Sequence, residues 1–111
     1  MKISYSIMTH NEGESLLKLI TFIAEHKDEE DEIVILDDYS EDEKTKEILD
    51  TMCSLHDITF EQRALMKDYA GQKNYLTRMC KGSYIINIDA DEIPNKFLIE
   101  NIKSIIDSNP T

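Results

Sequence analysis

The chain is short of the residues that interrupt regular structure, with three glycines and two prolines in 111 residues. Collagen-like repeats and low-complexity tracts need far more of both, and both are excluded. Tryptophan is absent and there are two cysteines. Cys53 and Cys80 fall in no metal-ligand spacing, which argues against a zinc ribbon or a disulfide scaffold. They read as reduced, half-buried helix residues. Basic residues are scarce: 12 Lys and Arg stand against 23 Asp and Glu, for a net charge of −11. Such a surface repels nucleic acid and anionic membranes. No apolar run is long enough to span a bilayer. Met1-Lys2-Ile3-Ser4-Tyr5 does not begin a signal peptide. The expected setting is cytoplasmic, with any membrane association peripheral and made through an acceptor.

What is present is ordinary for a globular domain: 41% hydrophobic and 32% charged residues. The length suits one domain with a modest core. Charge is uneven. Acids crowd residues 25–50, and bases prevail over 63–81. An anionic ligand on this acidic protein would need that basic stretch.

Residues 3–8 alternate apolar and polar and predict a strand. Leu16, Leu17, Ile20, Ile23 and Ala24 follow at helical spacing. Ile33-Val34-Ile35-Leu36 is a β-branched run of the kind buried on both faces. Ser40 or Asp42 can cap the next helix, whose stripe is Thr45, Ile48, Leu49, Met52 and Leu55. Residues 58–60 predict a third strand, 61–71 a loop, and 72–80 a third helix with Gly82 as its C-terminal cap. Residues 83–88 predict a fourth strand. Pro94 opens a fourth helix with Leu98, Ile102, Ile105 and Ile106 inward.

Strict β-α alternation implies a parallel sheet with helices on both faces and right-handed crossovers. Ligands of such sheets bind beyond the carboxyl ends of the strands, where strand order reverses. The unusual polar clusters fall at those ends: Thr9-His10-Asn11-Glu12, Asp37-Asp38-Tyr39-Ser40 and Asp89-Ala90-Asp91-Glu92. Asp89 and Asp91 offer hard oxygen ligands to Mg²⁺ or Mn²⁺, and Ala90 leaves room for a ligand. Alone, an Asp-x-Asp is equally a loop that caps a helix. Asp37 and Asp38 suit a ribose or a base edge, and equally a turn. His10 reads as a solvated loop histidine. Gly71 and Lys73 lie near a helix N-terminus, where a phosphate is favoured. No Walker A loop is present.

Together these blocks, with Ala70-Gly71-Gln72-Lys73-Asn74 and Gly82 to Glu92, resemble the N-terminal half of a family 2 glycosyltransferase of the GT-A fold. The last two blocks are similar to the lipopolysaccharide core glucosyltransferases. The resemblance implies a Rossmann-like GT-A nucleotide-diphospho-sugar transferase fold, truncated after the Asp-x-Asp motif. Residues 1–111 would form a single donor-binding domain, with the acceptor-binding half and its general base absent. It implies a nucleotide-diphospho-sugar donor, with UDP expected, and inverting transfer to an acceptor whose nature is open. Thr9 and Asp38 match uracil contacts, with Asn11, Glu12 and Asp37 beside them. Lys73 matches a basic residue near the base or diphosphate. Asp89 matches the ribose-side acid and a second metal ligand, and Asp91 the principal ligand to Mn²⁺ or Mg²⁺. Self-association through an exposed apolar face stays open.

Other readings compete. A receiver-like phosphoacceptor domain also pairs acids after strands, although its pair follows the first strand rather than the second. A nucleotidyltransferase would carry a basic, glycine-rich first loop. A non-catalytic nucleotide-binding module remains.

Overall fold

The structure is a computed structural model that describes residues 1–90 and 101–105. Seven elements alternate: β1 (Ile3–Thr9), α1 (Glu14–His26), β2 (Glu32–Asp37), α2 (Glu43–Leu55), β3 (Ile58–Gln62), α3 (Tyr69–Met79) and β4 (Tyr84–Asp89). All strand pairings are parallel, in the order β3-β2-β1-β4. The chain steps from β1 to β2 to β3 in one direction, then crosses back to place β4 on the far side of β1. Right-handed crossovers in opposite directions put their helices on opposite faces. Accordingly, α1 and α2 pack one face around Ile3, Ile7, Ile33 and Ile35. The other face carries Val34 and Leu36 against Leu76 and Met79 of α3. Burying each large aliphatic side chain stabilises the fold by about 1.5–3 kcal/mol. β2 is buried along its whole length, as its apolar run demands.

The alternation of β1 has a different cause from solvent exposure. Ser4 and Ser6 are buried. Both lie in a polar seam facing away from the α1–α2 layer. The Ser4 hydroxyl donates to Glu32, and the Ser6 hydroxyl to the side-chain Oδ1 of Asn87. Burial opposes ionisation of Glu32. The Ser4 hydroxyl, the Lys81 N–H, Lys2 and Lys81 outweigh that and hold its carboxyl below the usual range.

Several boundaries differ from expectation. α3 begins at Tyr69, because Asp68 caps it and accepts from the Gly71 N–H at 3.0 Å. Gly71 therefore lies inside the first turn and Lys73 in the second. Asp42, not Ser40, caps α2, accepting from the Thr45 N–H at 3.0 Å. Leu55 is 70% exposed, since α2 ends there with the stripe already closed by Met52. Gly82 does not cap a helix: α3 is closed by Cys80 in an extended conformation. Gly82 is where the chain crosses β1, and a Cβ there would lie 2.7 Å from the Ser4 nitrogen. Gly82→Ala is expected to lower stability by about 1–3 kcal/mol, read from urea unfolding. Residues 101–105 are helical, and Ile102 packs on the α1–α2 side of the core. Pro94, Leu98 and Ile106 lie outside the described residues.

Candidate functional site

Strand order reverses between β1 and β4, and in open parallel sheets ligands bind beyond the carboxyl ends at that place. A cleft of about 510 Å³ occupies it. Thr9, His10 and Glu12 line it from the β1 end, Asp38 from β2, and Asp89 and Ala90 from β4. Leu65, Tyr69 and Gln72 form a further wall. Asn11, Asp37 and Lys73 stand outside it. Asp91 lies outside the described residues.

The residues outside the cleft build it. Asp37 is fully buried. Its carboxylate accepts from the Ser40 N–H at 2.9 Å, the Ser40 hydroxyl at 2.5 Å and the Gln62 amide at 3.1 Å. The Ser40 hydroxyl oxygen in turn accepts from the Asn11 N–H at 2.9 Å. The Asn11 side-chain Oδ1 accepts from the N–H groups of Glu41 and Asp42 at 2.7 and 3.0 Å. Asn11 holds a left-handed backbone, φ 54°, which asparagine tolerates better than most residues. It thus clamps the loop after β1 to the loop after β2. An acid pair of the receiver kind would turn both carboxylates outward. Here Asp37 is saturated from within, which removes that alternative.

Asp38 projects further. Its Oδ1 accepts from the Leu65 N–H at 2.9 Å, which ties down the loop after β3. Its backbone carbonyl accepts from Nδ1 of His10 at 2.5 Å. With Nδ1 donating, Nε2 is left to accept from the Asn11 amide at 3.2 Å. Both ring nitrogens are engaged, so His10 is a fixed wall. Thr9 is 4% exposed, and its Oγ1 has no hydrogen-bond partner among the described residues. A buried hydroxyl without a partner is uncommon.

Asp89 ends β4 with an exposed carboxylate that makes no hydrogen bond or ion pair among the described residues. It shares a small side pocket with Lys73, Ser6 and Asn87. No group of three or more His, Cys, Asp or Glu among the described residues could hold a metal ion. An unpartnered carboxylate at a cleft mouth nevertheless suits a hard divalent cation, which takes one or two protein carboxylates and fills its shell with water and phosphate. The N-terminus of α3 is less open than its sequence suggests. Asp68 occupies it with its own carboxylate, where an incoming phosphate would otherwise sit.

Leu65, Tyr69 and Gln72 were missed as site residues by sequence reasoning. The signal was present: Asp68 stands three residues before Gly71, a capping distance. A helix begun there puts Tyr69 and Gln72, three apart, on one face. Gln72 is held both ways by Arg63, accepting from its guanidinium at 2.8 Å and donating to its carbonyl at 2.6 Å.

An open parallel sheet with a cleft at its switch point, flanked by helices on both faces, defines a Rossmann-like α/β domain. Comparison with known proteins agrees. The sequence model of glycosyl transferase family 2 matches residues 4–111, and the chain belongs to that family. It is 33% identical over 110 residues to an uncharacterized glycosyltransferase of Rickettsia bellii, covering 96% of this chain and 33% of the relative. One from Rickettsia prowazekii is 31% identical over 111 residues, covering 97% and 34%. Among solved structures, Staphylococcus aureus TarS 1–349 in complex with UDP-GlcNAc superposes with a TM-score of 0.83 at 22% identity, over 97% of this chain and 32% of the TarS 1–349 chain. The mannosyltransferase PcManGT from Pyrobaculum calidifontis, in complex with GDP-Man and Mn²⁺, gives 0.80 at 20% identity, over 98% and 33%. The chain thus spans about a third of the length of these relatives. Among the described residues no helix is long and apolar enough to cross a membrane.

Proposed function

We propose that residues 1–111 form the donor-binding domain of a glycosyltransferase. It takes a nucleotide-diphospho-sugar into the switch-point cleft for inverting transfer to an acceptor hydroxyl. The observation that carries this reading is the convergence of Thr9, Asp38 and Asp89, from three strand ends, on one cleft.

UDP is the expected nucleotide, as the family resemblance implies. Asp38 Oδ1 accepts from the Leu65 N–H, and Oδ2 lies 3.8 Å from His10 Nδ1 with room to accept from a base. Uracil presents one N–H between two carbonyls. Asp38 then accepts from the base N–H, Thr9 closes the base end, and Glu12 lies along the same wall. Asp89 faces the ribose, and Lys73 stands beside it on the diphosphate side. Asn11 and Asp37 act through the loops they hold. Asp91, with Asp89, would hold Mn²⁺ or Mg²⁺, and a bound ion neutralises the diphosphate leaving group. The general base for the acceptor belongs to a part of the protein beyond this domain. The domain by itself binds donor with little turnover.

The test is a thermal-shift titration with UDP, GDP and UDP-sugars, with and without Mn²⁺. UDP at a hundred times its Kd should add roughly 2.7 kcal/mol of apparent stability. Asp91→Ala should abolish the metal-dependent part and leave the fold intact. No shift with any nucleotide overturns the reading.

A further inference from the structure

Tyr69 has no role in the fold. It is 67% exposed, and it makes no hydrogen bond or ring contact among the described residues. Two of the other tyrosines are committed: Tyr5 is fully buried, and the Tyr75 hydroxyl donates to Glu61 at 2.6 Å. Yet Tyr69 lines the cleft, in company with Leu65 and Asp38. The backbone that carries it is tied down on both sides. Met66 and Lys67 before it both hold left-handed backbones, φ 48° and 63°. Non-glycine residues adopt such angles at a cost, and persist in them where the surroundings dictate the conformation. The Leu65 N–H is bonded to Asp38 on one side of these two residues. The Asp68 cap is bonded to Gly71 on the other. Gln72, one turn on, is locked to Arg63.

The result is an exposed aromatic ring on the wall of the same cleft as Asp38, whose Oδ2 takes no hydrogen bond among the described residues and lies 3.8 Å from His10 Nδ1. A nucleobase needs both: a flat apolar surface for its π-face and a polar partner for its edge. We propose that Tyr69 is the stacking wall of the nucleobase subsite, with Asp38 serving the edge of the same base. The proposal rests on the donor-site reading above, and it adds a contact that reads the base rather than the phosphates or the metal.

The test measures Kd for UDP and for inorganic pyrophosphate, each with Mn²⁺, on the wild-type chain, Tyr69→Ala and Tyr69→Phe. Tyr69→Ala should weaken UDP roughly 5- to 150-fold, the range that stacking on a single base supplies. Tyr69→Phe, which keeps the ring and loses only the hydroxyl, should stay close to wild type. Pyrophosphate, which has no base, should bind all three alike. Circular dichroism and the melting temperature should not move, because the side chain is exposed. If wild type binds UDP and Tyr69→Ala binds it equally well, Tyr69 is no stacking wall and the donor site still stands. Equal loss of UDP and pyrophosphate in Tyr69→Ala also overturns the proposal, since the effect then lies at the phosphates. If wild type binds no UDP, both readings fall.

Discussion

Replacing Asp37 with alanine should destabilise the domain by about 3–4 kcal/mol, although Asp37 lines no part of the cleft. Three donors converge on its buried carboxylate: the Ser40 N–H, the Ser40 hydroxyl and the Gln62 amide. Each buried donor left without a partner costs roughly 1–3 kcal/mol, and water entering the gap recovers part of this. The loss is a large fraction of the 5–15 kcal/mol that holds a domain together. Asp37→Asn keeps one acceptor and should lose about half as much. Urea unfolding measures both, and a Cm for Asp37→Ala matching wild type would refute the account. The loss should spread beyond β2. The Ser40 hydroxyl that Asp37 anchors also receives the Asn11 N–H, so the loops after β1 and β2 loosen together.

Asp38→Asn should separate binding from folding. The amide oxygen can still accept from Leu65, which keeps the loop after β3 in place. The amide NH₂ then faces the base as a donor where an acceptor stood. Uracil, with an N–H at that point, meets donor against donor. A charge-assisted hydrogen bond is worth about 1.5–3 kcal/mol, so UDP affinity should fall roughly 10- to 150-fold. Cytosine carries an acceptor at the same ring position, so the preference should move toward CDP. Calorimetric titration of wild type and Asp38→Asn with UDP and CDP decides it. An unchanged UDP-to-CDP ratio would remove Asp38 from the base edge.

Much of the fold could be read from the sequence because its elements carry one dominant signal each. Ile33 to Leu36 can hardly be anything but a central strand, and β2 is buried throughout. The spacing of Thr45, Ile48, Leu49 and Met52 gave α2 its inner face. α3 starts at Tyr69 rather than Gln72 because Asp68 caps it, a role that a loop over 61–71 leaves out. A cap is the commoner use of a glycine after a helix, whereas the close approach of Gly82 to Ser4 is a tertiary demand that no local pattern displays. Candidate site residues were legible by residue type and strand-end position. Their division of labour was not. Asp37 and Asp38 are neighbours of one type, yet one is saturated inside the loop and the other reaches the cleft. Only the direction of each side chain tells them apart.

The pairing of β1 with β4 has a consequence for the order of assembly. Met8 stands opposite Asp89, and the β1–β4 partners, all equally far apart in sequence, are more widely separated than the partners of β1 with β2 or of β2 with β3. β1, β2 and β3 can come together from neighbouring segments, but β4 must close a loop that includes all of them. Contacts of such long range form late, because the chain entropy of closure is lost before the contact is gained. The last strand to dock is also the one that supplies Asp89 and Ala90 to the cleft. A nascent or partly unfolded chain can therefore hold most of its core and still lack the β4 side of the cleft. Competence to bind then reports that the whole sheet has closed.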